Sequence, residues 1–167
     1  GSSSGGFTMA VMAADPPMPN GSTDYFTEAN TTIPWYSGAT GPAASYVPGG
    51  NSTVITWQTV DAAAGNRRTD IIAYDHSTRT WGDPVAVGAA AIVNDDHGVP
   101  AVCVTRDGYI VVFWGLHNAS MFYAVSNSPN TIANGFTRYS LNGVEYTYWR
   151  PIARPDGGID LFCRARR

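Results

Sequence analysis

Two segments of the sequence repeat one hairpin pattern at an offset of 49 residues, and this repeat limits the choice of fold more than any other feature. The pair Asp107-Gly108 separates the apolar runs PAVCVT and YIVVFWG, and the pair Asp156-Gly157 precedes the run IDLFCR. Asp-Gly between apolar runs is a strong signal for a β-hairpin. A repeat of 40–50 residues that holds about four strands is typical of a β-propeller blade. We therefore predict an all-β fold of propeller blades, each a four-stranded antiparallel meander.

Further runs of β-forming residues lie before and between these hairpins in the sequence. Residues Val54–Val60 (VITWQTV) and Thr69–Asp75 (TDIIAYD) form a weaker, earlier copy joined by a longer turn, and Met121–Val125 and Gly135–Ser140 add strands. Residues 51–167 then hold roughly two and a half blades, whereas propellers close with about 4–8. Because an open arc leaves unpaired strand edges, we predict an incomplete propeller, either a fragment of a longer chain or one completed by other chains.

Composition excludes several other classes of protein. Charged residues make up only 14% of the chain, with two glutamates and no lysine, so a helical bundle lacks its usual residues. The net charge of −3 gives no basic stripe for nucleic acid, and we expect no nucleic-acid partner. No window of 18 apolar residues occurs, so we expect no membrane insertion.

The amino-terminal stretch differs from the rest of the chain. Residues 1–6 are a Gly/Ser run, and residues 7–50 are rich in Pro, Gly, Ser, Thr and Asn with little periodicity. We assign residues 1–50 to an arm or linker and residues 51–167 to the partial propeller. Oligomerisation or a larger assembly through residues 1–50 stays open.

The two cysteines, Cys103 and Cys163, are too few for a disulfide framework and lack the spacing of a zinc site. The offset of 49 takes Cys103 to Ile152, so the two cysteines fall on different strands of the repeat. We predict that they are buried thiols, not bonded to each other.

The segment from Ile72 through Arg164 resembles the BNR-repeat β-propeller family that includes the ulvan-lyase-like polysaccharide lyases. The resemblance rests on AYDHSTRTW, on NDDHGVPAVCVTRDGYIVVFWGLH, and on YTYWRP followed by DGGIDLFCR. The first of these departs from the Asp-box consensus, because no glycine follows Asp75 at the expected place and Trp81 comes one position late.

This resemblance implies a lyase that cleaves a uronic-acid-containing polymer by β-elimination, with no cofactor and no metal. His97 of the DDH motif would be the general base that removes the C5 proton, and Tyr148 would protonate the leaving oxygen at C4. His117 and Arg164 would hold the uronate carboxylate. A neutral imidazole suits a base near neutral pH, and arginine binds carboxylates through two parallel hydrogen bonds.

The two histidines also have structural interpretations. His97 follows Asp95-Asp96 and could be a loop histidine that an aspartate satisfies, and His117 could cap the turn after Gly115. The Asp95, Asp96 and His97 cluster could instead bind a metal, although its spacing matches no defined ligand set.

The strand residues leave alternatives as well. Tyr146 competes with Tyr148 for the role of acid, because residues two apart on a strand share a face. Arg150 is a further candidate for substrate binding, with a surface salt bridge as its structural alternative. Arg164 could close its hairpin by pairing with Asp160.

The competing function is glycan binding without catalysis. A linker-like arm joined to blades with exposed aromatic side chains would suit a phage tail fibre or a surface adhesin. The predicted partner is thus an acidic polysaccharide or a host-surface glycan. The expected location is extracellular or secreted, with the virion surface as the alternative. The fold alone does not separate an enzyme from a binding protein.

Overall fold

The computed structural model describes residues 41–61, 66–90, 99–115 and 119–166. Within these ranges the chain forms ten strands, and the only helical element described there is a three-residue 3-10 turn at Pro48–Gly50. The strands are β1 (Ala44–Val47), β2 (Ser52–Asp61), β3 (Asn66–Asp75), β4 (Thr80–Trp81), β5 (Val85–Ala90), β6 (Ala101–Val104), β7 (Ile110–Trp114), β8 (Ala119–Ser126), β9 (Phe136–Ala153) and β10 (Ile159–Arg166).

The first sheet is the blade formed by β1 to β5, and all of its strand pairs are antiparallel. It begins earlier than the boundary at residue 51, because β1 pairs with β2 through Ala44↔Ile55 to Val47↔Ser52. The inner hairpin of this blade turns at Pro48–Gly50, where the later repeats have Asp-Gly. Residues 1–40 of the predicted arm, and the turn at residues 62–65, lie outside the described residues.

The second sheet has the order β10-β9-β8-β7-β6 and is also antiparallel throughout. Both Asp-Gly pairs lie in turns as predicted, the first between β6 and β7 and the second between β9 and β10. Gly108 and Gly157 have φ values of +85° and +91°, a region that residues with a Cβ adopt only at a cost.

The 18-residue strand β9 has two different partners along its length. Its first part pairs with β8, from Ser126↔Phe136 to Met121↔Leu141. Its second part pairs with β10, from Ile159↔Ala153 to Arg166↔Glu145. The first part therefore completes the blade of β6 to β8, and the second part begins the next repeat unit, of which the structure contains one hairpin.

The hydrophobic core lies on both faces of the blade built on β6 and β7. One cluster, the inter-blade cluster, lies between this blade and the first sheet and contains residues of both. It comprises Val47, Val54, Ile71, Val87, Val102, Ile110, Val112, Trp114, Ala124 and Ile132. The second cluster lies on the opposite face and comprises Ala101, Cys103, Val111, Phe113, Met121 and Trp149, against which Ile159 and Leu161 of β10 pack. Because β7 contributes alternate residues to the two clusters, every one of its five residues is buried.

The predicted all-β fold class is confirmed: the described residues form two antiparallel, blade-like sheets that pack against each other. Cys103 and Cys163 are free thiols, as predicted, but only Cys103 is buried. Cys163 is half-buried, because β10 lies at the edge of its sheet and Cys163 is not part of either core cluster. No helix in the described ranges is long and apolar enough to cross a bilayer.

Candidate active site

The innermost strands of the three repeat units lie side by side at one end of the sheets. The backbone N–H of Val102 in β6 donates to the carbonyl of Pro42, just before β1, at 2.9 Å. The N–H of Gly41 donates to the carbonyl of Trp149 in β9 at 2.7 Å. The first residues of β6, the segment before β1 and the second part of β9 therefore meet where these strands begin.

The fully buried side chain of Trp149 links this meeting point to two further segments. Its indole Nε1 donates to the carbonyl of Val99 at 2.6 Å. Its ring also lies close to Gly115, where an added Cβ would come within 3.3 Å of Cη2. One side chain thus contacts the chain just before β6 and the chain just after β7.

Tyr148 lies beside Trp149 in a β-bulge. The register between β9 and β10 passes from Phe162↔Arg150 to Arg164↔Thr147, so Tyr148 and Trp149 together oppose the single residue Cys163. Tyr148 has φ of +60°, a left-handed conformation that is uncommon for a bulky residue. Strained residues and bulges are over-represented at functional sites, where they aim a side chain in a particular direction.

Four of the six predicted site residues lie on this one hairpin. Arg164 pairs across the ladder with Thr147, the residue that precedes Tyr148. The Arg164 side chain is exposed. Arg150 is also exposed, and Tyr146 is half-buried against the second cluster. Two arginines and two tyrosines therefore occupy the end of the β9–β10 hairpin that is remote from its Asp-Gly turn.

The other end of the hairpin holds a separate group of charges. The Arg154 guanidinium binds Asp156 at 3.0 Å and Asp160 at 3.2 Å. The N–H of Gly158 and the Arg154 side chain lower the pKa of Asp156, and the two aspartates raise the pKa of Arg154. Asp160 is thus paired with Arg154, and the alternative in which it pairs with Arg164 is wrong.

The two predicted histidines, His97 and His117, lie outside the described residues, as do Asp95 and Asp96. Val99 is two residues after His97, and Gly115 is two residues before His117. Both of these described positions contact Trp149. In the described part of the chain, no group of three or more His, Cys, Asp or Glu side chains could hold a metal ion.

Trp149 is the member of this group that sequence reasoning missed. It stands inside the motif YTYWRP that carries the resemblance, between Tyr148 and Arg150. A lone tryptophan in a β-rich run indicates a core residue, and nothing in the sequence shows that its indole N–H reaches the segment just before β6.

A comparison with models of known families matches residues 44–167 to one family, described as BNR repeat-containing family member. The chain belongs to this family. The match begins at β1 and includes both sheets, so the residues of the β9–β10 hairpin lie within it.

Two curated relatives are ulvan lyases, and each is 26% identical to this BNR-repeat chain over 119 residues. One is "Ulvan lyase" from Alteromonas sp. (strain LOR), and the other is "Ulvan Lyase-PL25" from Pseudoalteromonas sp. (strain PLSV). Each alignment includes 56% of this chain but only 24% of the relative, so the chain spans about a quarter of their length.

Two solved structures of a PL25 ulvan lyase, from a new family of polysaccharide lyase, share the fold. Both superpose with a TM-score of 0.61 over 75% of this chain and 32% of theirs, at 24% and 23% identity. In the second structure the lyase is bound to -[GlcA(1-4)Rha3S]-. At this level of identity the likeness shows the blade architecture alone.

Proposed function

We propose that this BNR-repeat chain carries the active-site blades of a polysaccharide lyase that cleaves a uronic-acid-containing polymer by β-elimination. The main support is the β9–β10 hairpin, in which the bulge at Tyr148 lies next to the exposed Arg164. Similarity to two ulvan lyases adds to this support, because GlcA, a uronic acid, is part of the ligand in one of the fold neighbours.

The proposed reaction breaks the C5–H bond and the C4–O bond of the uronate and forms a C4=C5 double bond. His97 takes the proton from C5, and the phenol of Tyr148 gives a proton to the glycosidic oxygen that leaves C4. Proton transfer by such positioned groups contributes about 10²- to 10⁴-fold in rate. A proton passes back to the tyrosinate through solvent, so that both groups return to their starting states.

The C5 proton becomes acidic enough only when the negative charge that develops on the carboxylate is stabilised. Arg164 supplies a fixed positive charge with two parallel donors, and His117 adds a further donor. Arg150 lies on the same hairpin as Arg164, and we assign to it, with Tyr146, the binding of the neighbouring part of the polymer. No step requires a metal or an organic cofactor.

The test is incubation of the full chain with ulvan while the ultraviolet absorbance of the unsaturated uronate product is followed. Tyr148→Phe should lower turnover by about 10²-fold or more, since it removes the donor and keeps the ring. Tyr139→Phe is the matched control, because Tyr139 lies in the first part of β9 with an exposed side chain. Equal activity of the two variants would remove Tyr148 from the mechanism.

A parallel pair of variants tests the carboxylate contact. Arg164→Ala should reduce kcat/KM strongly, and Arg106→Ala should not, because Arg106 lies at the Asp-Gly end and donates to the carbonyl of Pro155. If the chain binds the polymer but releases no unsaturated product, the proposed lyase activity is wrong. Glycan binding without catalysis, as in a tail fibre or adhesin, is then favoured. Because the proposed substrate is a large polymer, the proposed location is extracellular.

A further inference from the structure

We infer that Trp149 is a positioning residue, which holds Tyr148 in its left-handed conformation and thereby directs the phenol. This inference rests on the proposed function only for the role of the phenol. The conformational part stands on the described geometry around Trp149, which is held from three directions.

The first two restraints on Trp149 act on different parts of the residue. The indole N–H donates to the Val99 carbonyl at 2.6 Å, and the main-chain carbonyl accepts from Gly41 N–H at 2.7 Å. The side chain is thus tied to the segment just before β6, and the backbone to the segment just before β1. A buried indole N–H without an acceptor carries its full desolvation penalty. The ring orientation in which this N–H reaches the Val99 carbonyl is therefore strongly favoured.

The third restraint is steric. The Trp149 ring packs against Gly115, where even a methyl group would come within 3.3 Å of the ring and 3.2 Å of the Ser120 carbonyl. The side chain is fully buried in the second cluster, with Ala101 and Met121 among its members. The ring therefore has no room to rotate without displacing β7 or β8.

Tyr148 is the residue on which these restraints act. A non-glycine residue at φ of +60° is disfavoured on its own and persists only where the surroundings over-determine it. The bulge places Tyr148 and Trp149 together opposite the single residue Cys163. The anchoring of Trp149 constrains Tyr148 directly, since the two residues share a peptide bond.

The conformational part is tested without any substrate by comparing Tyr148→Gly with Tyr148→Ala. At a left-handed position glycine is the more stable of the two, so the glycine variant should unfold at a higher denaturant concentration. In a Trp149→Phe background, which keeps an aromatic ring and removes the N–H, this advantage of glycine should shrink or reverse. If the stability advantage of glycine over alanine at position 148 is unchanged in this background, the inference is wrong, whether or not the chain has lyase activity.

The matched control is Trp57→Phe, measured in the same cycle. Trp57 is a buried tryptophan of the first sheet whose indole N–H donates to Thr59 Oγ1 at 3.1 Å. Its replacement also removes a buried indole hydrogen bond but should leave the glycine advantage at position 148 intact. If Trp57→Phe erases that advantage as well, the effect is a general loss of stability and the inference is wrong.

Kinetics test the link to catalysis. Trp149→Phe should lower kcat by about 10- to 100-fold with little change in KM, because a displacement of about 1 Å at a reacting group costs this much. Trp57→Phe should leave both constants near their original values. A rise in KM with unchanged kcat would show that Trp149 serves binding instead and would overturn the positioning role.

A milder variant is available if Trp149→Phe does not fold. Gly115→Ala pushes on the same ring without removing it, and Gly82→Ala is its control, since the nearest atom there is 3.7 Å away. Gly115→Ala should reduce the glycine advantage at position 148, and Gly82→Ala should not. The same outcome for both would contradict the inference.

Discussion

Gly108, in the first Asp-Gly turn, is expected to be the most costly glycine to replace on the repeat hairpins. Its φ is +85°, and a Cβ there would overlap Oδ1 of Asn130. Asn130 cannot swing away, because its side chain is also packed tightly against Gly49, and its N–H donates to the Gly108 carbonyl at 2.8 Å.

Gly157 provides a matched comparison in the next repeat. It has nearly the same backbone, with φ of +91°, but a Cβ there meets only Asp107 Oδ2 at 3.7 Å. Gly157→Ala therefore carries the cost of the left-handed backbone alone, about 1–2 kcal/mol, less about 0.4–1 kcal/mol gained by restricting the unfolded chain. Gly108→Ala adds about 1–3 kcal/mol for overpacking. We expect Gly157→Ala to lower the free energy of unfolding by about 1 kcal/mol and Gly108→Ala to lower it by about 3 kcal/mol.

The assay is equilibrium unfolding in urea, followed by tryptophan fluorescence, for both variants and for Asn130→Gly combined with Gly108→Ala. Asn130 has φ of +63°, so glycine fits there without strain. The double variant should be markedly more stable than the sum of the single losses predicts, because the clash is gone. Equal losses for Gly108→Ala and Gly157→Ala, or strict additivity in the double variant, would refute this reasoning.

Two further outcomes are expected. Burial raises the pKa of Cys103 to about 12 and also raises the pKa of the half-buried Cys163. A thiol reagent at neutral pH should therefore label Cys163 first, and Cys103 only as fast as the protein unfolds. Prompt labelling of Cys103 in the native state would contradict this. The pKa of Asp156 is lowered by the N–H of Gly158 and by Arg154, so its contribution to stability is present above the unfolded pKa of about 3.9 and is lost as pH falls through the lower folded value. Wild type should therefore be more stable than Asp156→Asn at neutral pH, and thermal melts should show this difference closing in acid; a difference that is constant down to pH of about 2 would contradict it.

Local sequence chemistry was sufficient for much of the fold. The two Asp-Gly hairpins could be predicted because only turn residues of that type relieve a positive φ, and the structure has such a φ at Gly108 and Gly157. The inner hairpin of the first blade was missed because its turn is Pro48–Gly50, which does not repeat the Asp-Gly signal. The boundary predicted at residue 51 therefore fell after β1 instead of before it.

The site was less accessible to sequence reasoning. The resemblance supplied Tyr148 and Arg164, but the run VEYTYWRPIA has the composition of one regular strand and gives no sign of a bulge. A bulge depends on the register with a second strand, and the role of Trp149 depends on an acceptor, Val99, that is 50 residues away in the chain. Such features arise from tertiary packing, and one sequence does not contain them in readable form.

Strand β9 determines where this chain can be divided. Because one continuous strand is the outer edge of one blade and the inner strand of the next unit, the repeat in the sequence and the physically separable piece do not coincide. A cut within Phe136–Ala153 deprives one of the two neighbours of a strand, whereas a break at the less crowded turn around Gly157 leaves every strand whole. Circular permutants, split-protein pairs or inserted reporter domains should therefore be built at that turn, and the natural exchange of blades between related chains would have to keep the two halves of β9 together.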